Sequence, residues 1–190
     1  MRATKNSAHK LWLIVLSLAV VCSLPVVSLA GTPANLDLAK VTLVAPSSAE
    51  AKDYLGLREK PTFPLSEIKA KFIVLGYYGI KCPYCHEQAP ISNRVYEMIR
   101  RDPELEKDVR MLGVIVGSNP TDTAAYAKKY QIQYPMTNDP FMDIYRKLNK
   151  PKVPLTLVLT NDGKILLSVT GVMRDPAEFV KKIRKLQNGD

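Results

Sequence analysis

The clearest hydrophobic pattern in this chain is an unbroken apolar run from Phe72 to Tyr78. A run rich in β-branched and aromatic side chains predicts a strand that is buried on both faces of a parallel sheet. Apolar residues then recur at helical spacing from Cys85 until Asp102-Pro103, which ends the helix. A second apolar run, Met111 to Val116, predicts the next strand, so these elements form a βαβ unit with a right-handed crossover.

The middle of the chain predicts two short helices without obvious chemistry. One is expected from about Thr121 to Tyr130, after the turn at Gly117 to Pro120, and the other from Phe141 to Leu148. The segment from Gln131 to Pro140 is expected to be a connection between them. This part of the chain is therefore interpreted as a helical insertion between the two halves of the fold.

The last third of the chain predicts a hairpin followed by a helix. The turn Asn161-Asp162-Gly163 joins two apolar runs, Leu155 to Leu159 and Ile165 to Val169, which is typical of an antiparallel hairpin. The final helix is indicated by an apolar stripe of Phe179, Val180, Ile183 and Leu186. The expected fold class is α/β, with a central mixed sheet in the order β-α-β, helical insertion, β-β-α.

The first thirty residues predict an export signal rather than part of the folded domain. Arg2, Lys5 and Lys10 form a basic region, and an apolar stretch from Leu11 to Leu24 follows it. Ser28-Leu29-Ala30 then places small residues where signal peptidase requires them. We expect residues 1–30 to be a signal peptide, residues 31–60 an N-terminal extension and residues 61–190 the main domain.

Two alternatives for the leader stay open at this stage. The apolar stretch has about the length that a bilayer requires, so it could remain as a membrane anchor, although Pro25 and the cleavage pattern argue against this. Cys22 could carry a lipid, but the residue before it, Val21, makes a poor lipidation motif. In the extension, Ser47 and Glu50 have the spacing of a capping box, and Gly56 predicts the end of that helix.

Export changes the cysteine count and the charge of the chain. The full sequence has three Cys and a net charge of +9, and removal of the leader leaves two Cys and 24 basic against 18 acidic residues. The remaining positive charge lies mainly on solvated helix faces, such as Lys181-Lys182, so nucleic-acid binding is not expected. A disulfide spanning two residues closes too short a loop to be a structural staple, which indicates a catalytic pair.

That pair is Cys82-Pro83-Tyr84-Cys85, at the junction of a predicted strand and a predicted helix. The helix N-terminus stabilises a thiolate, so Cys82 is expected to be the nucleophile and the more buried Cys85 the resolving thiol. Pro83 fits the first helical position because its missing N–H would be unpaired there. His86 either adds positive potential beside Cys82 or is simply exposed at the surface, as Lys81 could also be.

Three other uses of these residues are less consistent with the sequence. Cys82-x-x-Cys85-His86 is also the attachment motif of c-type haem, but a strand-to-helix junction is not needed for that function. Two thiolates and one imidazole could bind metal, yet neighbouring residues on a helix point in different directions. A thiol peroxidase would require a stabilising Thr near Cys82, which the sequence does not supply there. We therefore expect neither a cofactor nor a metal.

The chain resembles exported thioredoxin-fold proteins of the TlpA/ResA type, which carry an insertion in the middle of the fold. The resemblance extends from about Thr62 to Leu186. It rests on the strand before the cysteine pair, on Cys82-Pro83-Tyr84-Cys85, on Pro90 and on Val153-Pro154. By this resemblance the fold is thioredoxin-like, and the protein is a thiol–disulfide oxidoreductase of extracytoplasmic protein thiols.

The resemblance also assigns substrate-binding residues. Family members have a cis proline at the position of Pro154, and the preceding residue, Val153, offers its backbone to an extended substrate. Pro83 and Tyr84 are expected to contact the substrate beside the dithiol. The chain departs from thioredoxins proper where they carry a buried Asp, since Gly76 occupies that position. The alternatives to an oxidoreductase are a thioredoxin-fold binding or chaperone module with an idle dithiol and, less favoured, a thiol peroxidase.

The expected partners are protein thiols or disulfides in the periplasm or another extracytoplasmic space, together with a redox partner. The expected reaction passes two electrons between the Cys82-Cys85 pair and a cysteine pair in the partner. Contact with a membrane is expected only through residues 1–30, if these are retained. The sequence leaves the direction of electron flow open.

Overall fold

A computed structural model describes residues 38–189, which form seven strands, six α-helices and a short 3-10 helix at Leu65–Glu67. The strands of this region are β1 (Thr42–Val44), β2 (Thr62–Pro64), β3 (Phe72–Tyr78), β4 (Val109–Val116), β5 (Met136–Asp139), β6 (Leu155–Thr160) and β7 (Ile165–Thr170). The helices are α1 (Ala49–Leu55), α2 (Pro83–Arg101), α3 (Pro103–Asp108), α4 (Pro120–Lys129), α5 (Asp143–Lys147) and α6 (Pro176–Asn188).

The central sheet is mixed and has the strand order β5-β4-β3-β6-β7. β3 pairs in parallel with β4, which pairs in parallel with β5, and β3 pairs antiparallel with β6. β6 and β7 form the predicted antiparallel hairpin. Every residue of β3 is buried, as its unbroken apolar run predicts for a strand in the middle of a sheet.

Helices and the N-terminal segment cover the two faces of this sheet. Side chains from alternate positions of β3 enter different cores, because successive residues of a strand point to opposite faces. Ile73 and Leu75 pack against the segment that precedes the sheet and against α5, whereas Val74 packs against α2 and α6. The predicted apolar stripe of α6 forms part of the core that contains Val74, because Phe179 and Ile183 are buried there.

The N-terminal extension is an integral part of the first core. Its strand β1 pairs antiparallel with β2, and Leu38, Leu43 and Leu55 are almost inaccessible to solvent. Gly56 ends α1 in the left-handed conformation, as predicted. The helix begins one residue later than the predicted capping box, because the side chain of Ser48, rather than Ser47, caps it by accepting the Ala51 N–H.

The main correction concerns the segment predicted as a connection from Gln131 to Pro140. Part of it is β5, a four-residue edge strand, so the insertion contributes a strand to the central sheet and is not wholly helical. The run Met136-Thr137-Asn138-Asp139 has no alternating apolar pattern, because its polar members are buried by pairing and hydrogen bonding. Another difference is α3, a short helix capped by Asp102 where the sequence predicted only the end of α2.

The predicted signal peptide, residues 1–30, lies outside the described residues. From residue 38 to residue 189, no helix combines the length and the hydrophobicity needed to span a bilayer.

Replacement of a buried side chain in β1 tests whether the extension contributes to the stability of the whole domain. Leu43→Ala should lower the free energy of unfolding by about 2–5 kcal/mol, because it removes buried methyl groups and leaves a cavity. Urea denaturation followed by circular dichroism measures this. The neighbouring Thr42 is exposed, so Thr42→Ala should change stability by less than about 0.5 kcal/mol. Equal effects of the two substitutions would contradict the shared core.

Candidate dithiol site

The cysteine pair lies where the central strand passes into the longest helix. β3 ends at Tyr78 and α2 begins at Pro83, so Cys82 is the N-cap residue of α2. Its Sγ accepts a hydrogen bond from the N–H of Cys85 at 3.2 Å. Unpaired N–H groups and the helix dipole favour negative charge at this position. A cysteine at such a helix N-terminus is typical of a reactive dithiol.

Cys82 and Cys85 are joined by a disulfide, with their Cα atoms 5.2 Å apart. The two sulfurs differ in accessibility, since Cys85 is 0% exposed and Cys82 is half-buried. The Gly79 N–H donates to Cys85 Sγ at 3.5 Å, and the Tyr126 hydroxyl donates to the Cys85 carbonyl oxygen at 3.0 Å. An incoming sulfur can therefore reach Cys82 more easily than Cys85.

A backbone segment from the other half of the fold closes the site. The Val153–Pro154 peptide bond is cis, and the carbonyl oxygen of Val153 lies 3.5 Å from Cys82 Sγ. Tyr77 pairs with Leu155 in the sheet, and this pairing places Val153 and Pro154 beside the end of β3. Val153 is half-buried and Pro154 is buried. The structure thus brings Cys82, Cys85, Val153 and Pro154 together, while the substrate-binding roles of the last two stay predictions.

The first turn of α2 presents the other predicted residues to solvent. Pro83 is exposed at the first helical position, and Tyr84 is 63% exposed. His86 is directed elsewhere: its Nε2 donates to the carbonyl oxygen of Ile80 at 2.8 Å, and its ring stacks on Tyr130 with centroids 4.7 Å apart. His86 therefore braces the turn that precedes Cys82.

A buried polar network lies behind Cys85. The Tyr78 hydroxyl is 3.0 Å from Ser92 Oγ and 3.1 Å from the hydroxyl of Tyr134. Gln88 donates to Ser92 Oγ at 3.0 Å and accepts the N–H of Met173 at 2.7 Å. These polar groups satisfy one another, and among residues 38–189 no buried side-chain nitrogen or oxygen lacks a hydrogen-bond partner.

Tyr78 occupies the space that a side chain at Gly76 would need. A Cβ at Gly76 would overlap the Tyr78 hydroxyl and ring, so only glycine fits there. Burial raises the pKa of Tyr78, which keeps the phenol uncharged at neutral pH. At the position where thioredoxins place a carboxylate, this chain therefore has a neutral phenol within a network of hydroxyl and amide groups.

Part of this polar network could have been predicted from the sequence. Cys85, Gln88 and Ser92 are spaced by three and four residues, so they lie on one face of α2. Two polar residues on the buried face of a helix indicate a polar contact in the core. Nothing in the local sequence links Tyr134 to this face, because it comes from the segment before β5, which the sequence pattern did not identify.

Other features of the described residues offer no competing chemistry. No group of three or more His, Cys, Asp and Glu side chains between residues 38 and 189 is arranged to hold a metal ion. A cleft of about 750 Å³ lies between the extension, α2, α4 and β5, where it is lined by Tyr54, Tyr96 and Arg100 among others. It lacks the nucleophiles that distinguish the dithiol, which remains the candidate site.

Removal of the Tyr78 hydroxyl tests the network. Tyr78→Phe should lower the free energy of unfolding by about 1–3 kcal/mol, because it leaves the buried Tyr134 hydroxyl without its partner. Chemical denaturation of the oxidised protein measures this. Tyr130→Phe is the matched control, since the Tyr130 hydroxyl has no hydrogen bond to the rest of the described chain. A loss as small as that of the control would show that the network contributes little.

Alkaline titration tests the same groups in a second way. Burial raises the pKa of Tyr78 and of Tyr134, so both stay neutral in the folded state when an unfolded tyrosine ionises near about pH 10. The free energy of unfolding should therefore fall as the pH rises above about 10. In the double variant Tyr78→Phe/Tyr134→Phe, the free energy of unfolding should fall less steeply with pH. Equal slopes for the variant and the wild type would contradict this assignment.

Comparison with known proteins shows which family the chain resembles. The AhpC/TSA family matches residues 46–168 of the chain. The thiol-disulfide oxidoreductase ResA of Bacillus thuringiensis subsp. konkukian is 22% identical over 121 residues, which cover 63% of this chain and 67% of ResA. ResA of Bacillus subtilis is 23% identical over 111 residues, which cover 58% of this chain and 59% of that protein.

Solved structures confirm the fold. A secreted disulfide oxidoreductase of Mycobacterium tuberculosis superimposes with a TM-score of 0.56 at 18% identity, covering 79% of this chain and 96% of that one. A thioredoxin-like protein of Aeropyrum pernix has a TM-score of 0.54 at 13% identity, with coverages of 77% and 89%. The α/β, thioredoxin-like fold predicted from the sequence is thus correct. Since the family match includes the dithiol and most of the central sheet, the chain belongs to the AhpC/TSA family and is a redoxin of the TlpA/ResA type.

Proposed function

We propose that this protein is an extracytoplasmic thiol–disulfide oxidoreductase that exchanges two electrons between the Cys82-Cys85 pair and cysteines of partner proteins. The observation that carries the proposal is the asymmetry of the pair. Cys82 is the accessible N-cap of α2 and accepts an N–H bond, whereas Cys85 is fully buried. One reactive sulfur and one protected sulfur are what a two-step exchange requires.

The exchange proceeds through a mixed disulfide. The thiolate of reduced Cys82 attacks a partner disulfide, forms a bond to one partner sulfur and releases the other as a thiolate. Cys85 then loses its proton, attacks Cys82 Sγ and expels the partner's second thiolate, which leaves this protein oxidised and the partner reduced. The same steps in reverse oxidise a partner dithiol, and the reduction potentials of the two proteins decide the direction.

Docking of the partner uses the surface next to Cys82. The carbonyl oxygen of Val153 lies 3.5 Å from Cys82 Sγ, so a partner strand that approaches the sulfur also meets this backbone edge. Pro83 and Tyr84 directly follow Cys82 in sequence and are exposed. We assign substrate binding to Val153, Pro154, Pro83 and Tyr84. Backbone hydrogen bonds supply the main part of the binding that does not depend on the sequence of the partner.

The extracytoplasmic location rests on the leader pattern. A basic region, an apolar stretch and a small-residue cleavage site follow each other within residues 1–30. The similar disulfide oxidoreductase of Mycobacterium tuberculosis is described as secreted, which supports the same location for this chain. Cell fractionation of the full-length protein, with the N-terminus of the product determined by mass spectrometry, tests both export and cleavage.

Trapping experiments test the roles of the two cysteines. Full-length Cys85→Ser, expressed in an exporting bacterial host, should accumulate covalent complexes with partner proteins because it lacks the thiol that resolves them. Cys82→Ser should accumulate none, since Cys85 is inaccessible. Non-reducing electrophoresis with and without dithiothreitol measures both, and the Cys82→Ser/Cys85→Ser double variant is the blank. Equal trapping by the two single variants would overturn the role assignment.

The alternatives predict different results. An idle dithiol on a chaperone module would allow both cysteines to be replaced without loss of binding to unfolded protein, measured as suppression of aggregation. A thiol peroxidase would consume hydrogen peroxide at a rate that depends on Cys82. Catalysis of insulin reduction by dithiothreitol that requires both cysteines, without comparable peroxide consumption, is the outcome expected of the oxidoreductase.

A further inference from the structure

The large exposed apolar side chains lie at one end of the central sheet. Among residues 38–189, the large hydrophobic side chains that are exposed are Ile80 at 36%, Tyr84 at 63%, Phe141 at 74% and Met142 at 42%. Ile80 and Tyr84 flank Cys82 in sequence, and the other two follow β5. Because β3, β4 and β5 are parallel, their carboxyl ends meet at the same edge. All four side chains therefore lie at the end of the sheet that carries the dithiol.

A glycine follows each of β3 and β4 at the end of the sheet that carries the dithiol. Met142 Sδ lies 3.7 Å from the point where a Cβ would stand on Gly117, which directly follows β4. The equivalent point on Gly79 lies 3.5 Å from the Cβ of Cys82, 3.5 Å from Cγ2 of Val153 and 4.0 Å from Cγ1 of Val116. Gly117, Val116 and Gly79 thus lie between Met142 and Cys82 at this end of the sheet. Glycine often marks a position where another backbone approaches closely.

The loop that carries Phe141 and Met142 is held firmly in place by Asp139, which is 1% exposed. The Asp139 carboxylate accepts the Tyr77 hydroxyl at 2.9 Å and the N–H groups of Asp143 and Ile144 at 2.8 and 3.0 Å. The Asp139 carbonyl oxygen accepts the Met142 N–H at 3.1 Å. The two exposed apolar side chains are thus presented by a preorganised turn whose anchor is buried in the fold.

The conformation of Met142 adds an independent observation. Its φ is 55°, in the left-handed region that a side chain with a Cβ rarely adopts. Residues in this region persist where the surrounding structure imposes the conformation, and they are enriched at binding sites. Here the turn fixed by Asp139 imposes it, and the apolar side chain is 42% exposed at the end of the sheet that carries the dithiol.

Basic side chains border this surface. Lys81 directly precedes Cys82, and Lys150 and Lys152 lie just before Val153, whose carbonyl oxygen is 3.5 Å from Cys82 Sγ. They are exposed, and within the described part of the chain none of them is engaged in an ion pair. Of the nearby acidic groups, Asp143 pairs with Arg146 at 2.5 Å and Glu87 is exposed on α2. The net charge of these groups beside the apolar surface is therefore positive.

We propose that Phe141 and Met142 form a second wall of the substrate-docking surface, opposite Ile80 and Tyr84. The occupant is an extended segment of a partner protein that carries a large apolar side chain and a carboxylate next to its reactive cysteine. The apolar side chain packs on Phe141 and Met142, and the carboxylate faces the lysines. This inference rests on the proposed function, because it names the substrate class of the same dithiol.

Peptide competition at the oxidised protein tests the proposal. Each peptide has one cysteine, whose thiolate attacks Cys82 Sγ and displaces Cys85 as a thiolate. The cysteine is flanked by Phe and Asp in the first peptide, by Gly and Ser in the second, and by Phe and Lys in the third. Stopped-flow measurement should give a rate constant about tenfold higher for the first peptide than for the second, as partial burial of one aromatic ring allows. The advantage over the third should shrink at high salt.

Substitutions identify the residues that are responsible for the preference among the peptides. Phe141→Ser, and Met142→Asn, which tolerates the left-handed conformation, should reduce the ratio of the first to the second rate constant toward one. Lys152→Glu should reverse the preference for Asp over Lys, whereas Lys185→Glu, on α6 near the opposite edge of the sheet, should not change it. An equal rate for all peptides in the wild type, or an unchanged ratio in Phe141→Ser and Met142→Asn, overturns this inference and leaves the proposed function standing. Failure of every peptide and of dithiothreitol to react overturns the proposed function itself.

Discussion

The structure depends on the burial of β3 in the middle of the central sheet. All seven of its residues are buried, and it is hydrogen-bonded to β4 on one side and β6 on the other. This double pairing fixes the position and direction of the chain at Tyr78, four residues before Cys82. The same pairing with β6 brings Val153 to the sulfur. The geometry of the dithiol is therefore set by the strongest hydrophobic element of the fold rather than by the loops around it.

The second notable feature is a redox site supported by neutral polar groups. In place of a buried carboxylate, Tyr78 fills the space next to Gly76 and bonds to Ser92 and Tyr134. A buried charge requires compensation by other charges or by several hydrogen bonds, whereas a phenol is satisfied by its hydroxyl partners alone. The arrangement rigidifies the core behind Cys85 and holds α2 against the insertion that supplies Tyr134.

The insertion links the core to the proposed docking surface. β5 pairs with β4 and ends at Asp139, whose buried carboxylate holds the following turn and receives the Tyr77 hydroxyl from β3. A single acidic residue thus couples the central strand to the exposed Phe141 and Met142. Because parallel strands end on the same side of a sheet, the insertion presents these side chains at the end that carries the dithiol, although they are about sixty residues away in sequence.

The sequence by itself determined the elements whose signals are local. The apolar run of β3, the helix start at Cys82-Pro83 and the turn at Asn161-Asp162-Gly163 each depend on neighbouring residues, and together they predicted the βαβ unit, the hairpin and the reactive pair. Resemblance to known families added Val153-Pro154. Only the tertiary structure revealed β5 and the contact of Tyr78 with Tyr134. The burial of polar residues in β5 and that contact both depend on pairing between distant segments, which no local periodicity encodes.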